Sequence, residues 1–133
     1  MAKKYGSLKL LLWIGIIFYV LWFLIFSLAP QSFLEQLSFM ETQGFFLRLY
    51  GIFPLGWAVL FLFALKDVEK NAAIIHAAII TGAFVIISIL VYHFVESTTG
   101  WFHWASAVVL LVYNFLLFVF KPKAAAPAAP LPE

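Results

Sequence analysis

The chain has 133 residues, of which 65% are hydrophobic and only 11% are charged. So few charges could not cover so much apolar surface in water, so the composition excludes a soluble domain of this size. The net charge of +2 is too small for a nucleic-acid-binding surface, and the absence of cysteine excludes disulfides, thiol redox chemistry and cysteine-held metal clusters.

Four long apolar runs dominate the sequence. Each has about the 20 residues that an α-helix needs to cross roughly 30 Å of hydrocarbon, and none shows the in/out alternation of a membrane β-barrel. The sequence therefore predicts an all-α integral membrane protein, a four-transmembrane-helix bundle that forms a single domain over residues 1–123. The predicted helices cover residues 10–29, 44–65, 72–95 and 102–120. The Ala/Pro-rich tail, residues 124–133, is predicted to be disordered.

The first apolar run resembles a secretory signal peptide, because a basic start precedes it and the sequence "SLA" stands before Pro30. It is longer than the roughly 7–15 apolar residues of such a peptide, so we interpret it as a retained first helix. The loop that follows places Phe33, Leu37 and Met40 at i, i+4 and i+7. That spacing predicts a short amphipathic helix at the membrane surface.

The second apolar run contains Arg48 near its start and Pro54 one to two turns later. If helices 2 and 3 are antiparallel neighbours, Arg48 lies within reach of Glu96, and Glu35 or Glu41 could take the place of Glu96. Arg48 and the carboxylate then form a structural ion pair, or Arg48 acts as a clamp for an anionic lipid headgroup. Pro54 predicts a kink, which either shapes a cavity or follows the curvature of the bundle.

The stretch "RLYGIFPLGWAVLFLFALKDVEKNAAII" resembles small bacterial four-helix membrane proteins of the DoxX-like or DUF4345-like kind. The matching positions are an arginine and a glycine early in helix 2 and a D-x-E-K-N turn before helix 3: Arg48, Gly51, Asp67, Glu69, Lys70 and Asn71. The resemblance implies a bundle in the bacterial inner membrane and identifies no catalytic residue.

Seven of the eight basic residues lie on one side of a four-helix path: Lys3, Lys4, Lys9, Lys66, Lys70, Lys121 and Lys123. Positively charged loops stay in the cytoplasm, so this distribution predicts that both termini are cytoplasmic.

Three histidines are the candidate ligands. His76 lies about one turn into helix 3, where Asn114 of helix 4 is a candidate partner; alternatively His76 ligates a tetrapyrrole such as haem or chlorophyll. His93 and Glu96 share a helix face, and His103 follows just across the turn. These three could hold a metal ion, or they form a hydrated polar rim at the membrane surface.

The chain shows no glycine-rich phosphate loop, no nucleophile elbow and no carboxylate pair within the helices. We therefore predict a non-enzymatic protein, an accessory, assembly or scaffold subunit that associates with other membrane subunits or with itself. The alternative is a binder of a hydrophobic cofactor or lipid within the bundle. The first hypothesis requires no cofactor, and the lipid bilayer is among the expected partners.

Overall fold

The computed structural model describes residues 4–39, 44–96 and 100–123, together with Pro130 and Pro132. The described chain is helical: α1 Gly6–Phe23, a π-helical turn Leu24–Leu28, α2 Gln31–Gln36, α3 Gly44–Tyr50, α4 Ile52–Lys66, α5 Ala72–Glu96 and α6 Trp101–Phe120.

Four segments of the described chain are long and apolar enough to cross a membrane. They are Gly6–Leu28, Phe45–Lys66, Ala72–Val95 and Trp101–Phe120. The prediction of an all-α protein with four spanning helices is confirmed, and the chain has the make-up of a multi-pass membrane protein. The predicted disordered tail, residues 124–133, lies outside the described residues except for its two described prolines.

The first helix begins earlier than predicted, at Gly6 instead of Leu10. The backbone N–H of Lys9 donates to the carbonyl of Tyr5 at 2.8 Å, so the lysine is part of the helix. Lysine is a good helix former, and its long side chain can reach the membrane surface. The candidate membrane span likewise begins at Gly6, four residues before the apolar run.

The second spanning segment is interrupted at Gly51, between α3 and α4. The cause lies three residues later, because Pro54 has no N–H to donate to the carbonyl of Tyr50 and its ring is placed against that carbonyl. A helix that restarts at Ile52 puts Pro54 in the first turn, where the N–H groups lack partners in any case.

The helices pack as two pairs, α1 on α4 and α5 on α6, with less contact between the pairs. We call the side with the start of α1, the α4–α5 connection and the end of α6 the terminal side, and the opposite side the α2 side. The main apolar core lies on the terminal side. Its largest fully buried side chains are Leu8, Leu12, Phe61, Ile75 and Leu117.

Polar contacts on the terminal side join the start of the chain to the α4–α5 connection. The Tyr5 hydroxyl donates to the Glu69 carboxylate at 2.8 Å, and the Lys4 ammonium lies 3.3 Å from the same oxygen. These two donors, Tyr5 first, lower the pKa of Glu69. The Lys70 N–H donates to Asp67 at 3.1 Å, which lowers the pKa of the Asp67 carboxyl and stabilises the turn.

The short helix of the predicted loop has a different buried face from the one expected. Leu34, Leu37 and Phe39 are buried, whereas Phe33 is 41% exposed, and Met40 lies outside the described residues. The helix ends earlier because Ser38 adopts a positive φ of 71°. The backbone N–H of Phe39 then donates back to the Leu34 carbonyl at 3.0 Å, which is the hydrogen bond of a Schellman motif.

Candidate ligand cavity

A cavity of about 520 Å³ lies on the α2 side, between the two helix pairs. Residues of α1, α4, α5 and α6 line it, with contributions from the π turn, α3 and the chain after α2. The lining residues are Tyr19, Trp22, Phe26, Phe39, Tyr50, Phe53, Pro54, Trp57, Thr81, Gly82, Val85, Ile89, Phe102, His103, Ser106 and Leu110. Its volume lies within the range of about 300–1,000 Å³ that is usual for small-molecule sites.

The cavity extends from the α2 side to about the middle of the spanning helices. Its lining runs from Thr81 to Ile89 on α5 and from Phe102 to Leu110 on α6. Eight positions at about 1.5 Å each correspond to roughly 12 Å along either helix. Towards the terminal side, the buried core closes the space.

The side of the cavity between α4 and α5 faces the lipid. Phe53 on α4 is 67% exposed and Val85 on α5 is 43% exposed, although both line the cavity. Few contacts join α4 to α5 compared with those within each pair. A molecule dissolved in the bilayer can therefore reach the cavity sideways.

Aromatic rings close the α2-side end of the cavity. The Phe39 ring lies edge-on to Phe26 at 5.7 Å and to Phe102 at 5.8 Å between centroids, and 5.0 Å from the His103 ring. Edge-on contacts at these distances are favourable because the positive ring edge meets the negative ring face. The Schellman turn at Ser38 thus places Phe39 as a cover over the cavity.

His103 is oriented by the start of its own helix. The Gly100 backbone N–H donates to His103 Nδ1 at 3.3 Å. A nitrogen that accepts a hydrogen bond carries no proton, so the neutral ring has its proton on Nε2. His103, a lining residue of the cavity, therefore carries an N–H donor at Nε2.

The predicted metal ligands are only partly within the described structure. The His93 ring packs edge-on against Trp104 at 4.8 Å, whereas the His103 ring contacts Phe39. The side chain of Glu96 lies outside the described residues. Among the residues that are described, no group of three or more histidine, aspartate or glutamate side chains could hold a metal ion. The metal site at His93, Glu96 and His103 stays a prediction.

His76 and Asn114 have separate hydrogen-bond partners. His76 Nδ1 lies 2.7 Å from the Ala72 carbonyl of its own helix, and Asn114 Nδ2 donates to the Ile79 carbonyl at 2.9 Å. The Asn114 amide lies against Gly82, where a Cβ atom would collide with it. Asn114 therefore joins α6 to α5 one turn away from the position expected. Tetrapyrrole ligation by His76, which does not line the cavity, stays a prediction.

Arg48 joins α3 to the π turn. Its Nη1 donates to the Phe26 carbonyl at 3.4 Å, and its own carbonyl accepts a hydrogen bond from the Ser27 hydroxyl at 2.9 Å. The last carbonyls of a helix lack partners within it, so Arg48 supplies one near the α2-side end of the candidate span Phe45–Lys66. Its pairing with Glu96 and its role as a headgroup clamp stay predictions, since the Glu96 side chain is not described.

The sequence raised the possibility of a cavity at Pro54 but did not indicate that Tyr19, Phe39 and Ser106 line it. Ser106 carried a usable signal, because it is the one hydroxyl-bearing aliphatic side chain in a mostly apolar helix. Tyr19 and Phe39 carried none, since aromatic residues occur throughout this chain and many of those described are exposed.

Comparison with known proteins adds no relative. No model of a protein family matches the chain, and neither a curated protein nor a solved structure matches it. Membership of the DoxX-like or DUF4345-like proteins stays a prediction. The cavity is the feature of the molecule that bears on its function.

Proposed function

We propose that this chain is a non-enzymatic membrane protein that holds a largely apolar molecule in the cavity on its α2 side. The observation that supports the proposal is the cavity of about 520 Å³, with aromatic and aliphatic walls and a lateral opening towards lipid. Small-molecule sites typically combine such walls with a few placed polar groups.

The polarity of the walls favours an uncharged occupant. None of the described residues that line the cavity is aspartate, glutamate, lysine or arginine. A charged group in such surroundings would lose its hydration without gaining a counter-charge. The polar groups of the lining are hydroxyls, indole N–H groups and one imidazole.

The proposal is tested by filling the cavity. Val85→Trp places a large ring in the space, whereas Val91→Trp, on the same helix, adds the same ring at a 53% exposed position outside the lining. Both variants and the parent protein are purified in mild detergent, and the apolar molecules that accompany each are extracted and identified by mass spectrometry. We expect one species at near-stoichiometric level with the parent and Val91→Trp, and its loss with Val85→Trp. Equal recovery from all three proteins would contradict the proposal.

We also propose that the protein lies in the bacterial inner membrane with both termini in the cytoplasm. The distribution of the lysines supports this orientation of the termini. Because the chain has no cysteine, single-cysteine variants report the side directly. We expect an impermeant maleimide to label Gln31→Cys in intact cells, and Lys70→Cys only after lysis. The reverse pattern would contradict this orientation.

The role of accessory, assembly or scaffold subunit, with other subunits or further copies as partners, stays a prediction. It is compatible with a bound apolar molecule.

A further inference from the structure

We infer that the molecule held in the cavity is neutral and presents a carbonyl oxygen to the Nε2–H of His103. This inference rests on the proposed function and deepens it, because it specifies the ligand's polar group and the residue that binds it.

His103 provides the hydrogen-bond donor. With Nδ1 occupied by the Gly100 N–H, the neutral His103 ring can donate only through Nε2. Within the part of the chain that the structure describes, His103 Nε2 has no hydrogen-bond acceptor. The ring lines the cavity and packs on Phe39. An N–H group without a partner in the protein gains a hydrogen bond when the occupant supplies an acceptor.

Ser106 adds a second donor on the same face. It lies three residues after His103, so the two side chains are neighbours on α6, and both line the cavity. Its hydroxyl has no hydrogen-bond partner among the described residues. A carbonyl oxygen has two lone pairs and can accept from both groups at once.

The inferred acceptor is a carbonyl and not an anion. The Arg48 guanidinium, the cation closest in sequence to the lining, donates to the Phe26 carbonyl and is not part of the lining. A phosphate or carboxylate beside His103 would have neutral donors only, whereas buried anions require charged partners or several hydrogen bonds.

The inner end of the cavity offers a competing polar group. Tyr19 is only 8% exposed and lines the cavity, and its hydroxyl has no hydrogen-bond partner among the described residues. The carbonyl is nevertheless assigned to His103, because the polar end of an amphipathic molecule stays near the membrane surface while its apolar part lies towards the middle.

The test compares three probes that share a twelve-carbon chain: laurophenone, an aryl ketone; methyl laurate, an ester; and dodecylbenzene, which has no carbonyl. Tritiated forms are equilibrated with the full chain in nanodiscs, and retention by empty nanodiscs is subtracted. We expect a carbonyl probe to bind about five times more tightly than dodecylbenzene, the effect of one neutral hydrogen bond. The preferred carbonyl probe shows whether the carbonyl belongs to a ring ketone or to an acyl ester.

Two substitutions then locate the donor. His103→Phe keeps a flat ring but removes the N–H, and should abolish the carbonyl preference. His103→Gln restores an N–H at similar reach and should recover most of it. With a ¹³C-labelled carbonyl, the infrared stretch should lie at lower wavenumber in the parent protein than in His103→Phe, which a merely structural role of the ring would not produce.

The possible failures are distinguishable. Binding of all three probes with equal affinity would overturn the carbonyl inference and leave the proposed function standing. Binding of none of them would overturn both. A carbonyl preference that survives His103→Phe and disappears in Tyr19→Phe would place the polar group at the wrong end and overturn the inference.

Discussion

Replacing Tyr113 by phenylalanine removes the hydroxyl that connects α6 to α1. Tyr113 is 6% exposed, and its hydroxyl donates to the Leu11 carbonyl at 2.8 Å. Hydrogen bonds between membrane helices contribute about 0.6 kcal/mol on average and about 1.7 kcal/mol at most. This bond is short and buried, so we expect Tyr113→Phe to lower the free energy of unfolding by about 1 kcal/mol. The loss stays small because the Leu11 carbonyl still accepts a hydrogen bond within its own helix.

The assay is reversible unfolding in mixed micelles, with increasing mole fraction of sodium dodecyl sulfate, followed by far-ultraviolet circular dichroism. Tyr92→Phe is the matched control, because it removes the same atom from a side chain that is 53% exposed. The control should change the free energy of unfolding by less than about 0.5 kcal/mol. Equal effects of the two substitutions would refute the reasoning.

A double-mutant cycle with Gly15 tests the same contact geometrically. A Cβ atom at Gly15 would collide with the Tyr113 hydroxyl and would lie 2.6 Å from a ring carbon of Phe61. Gly15→Ala should therefore be destabilising, and less so when Tyr113 is already phenylalanine. We expect a coupling free energy of at least about 0.5 kcal/mol. Additive effects would mean that the hydroxyl does not pack on Gly15.

Two further predictions concern stability away from the cavity. The pKa of the Glu69 carboxyl is lowered from its usual value of 4.5, and the hydrogen bond from the Tyr5 hydroxyl is the largest cause. The ionised carboxylate therefore stabilises the fold above pH 4.5, and this stabilisation is lost as the pH falls through the lowered pKa. Thermal stability should therefore fall more steeply below about pH 4.5 for the parent than for Glu69→Gln, and parallel pH profiles would contradict this. Ser38→Gly should raise the free energy of unfolding by up to about 1 kcal/mol, since glycine adopts a positive φ without Cβ strain. Ser32→Gly, inside α2, should lower it, and a loss of stability in both variants would show that the Ser38 backbone is not strained.

The sequence predicted the spanning helices well because their length and hydrophobicity are local properties set by the thickness of the bilayer. It predicted the exact helix limits less well. The interruption at Gly51 follows from Pro54, which sequence reasoning had identified without placing the break. The π turn has no local signal of this kind: its Phe26 carbonyl accepts a hydrogen bond from Arg48 of α3, so tertiary contacts contribute to its formation.

The sequence raised a cavity at Pro54 as one alternative, but its lining could not be predicted because it depends on which helix faces meet. Phe26, Phe39 and Phe102 are distant in sequence, and nothing in their spacing distinguishes them from phenylalanines that face lipid. The sequence also indicated the three histidines as candidate ligands, which stays a prediction. The role of His103, however, depends on its contact with Gly100 and on the position of Phe39, which only the folded chain shows.

The main core fills the terminal half of the bundle, whereas the cavity occupies only the half on the α2 side. A molecule in the cavity therefore has no route through the packed residues to the other leaflet, and it must leave by the leaflet from which it came. Occupancy then depends on the composition of one leaflet alone. In a bilayer with different lipids on its two faces, the protein would respond to one face and be insensitive to the other.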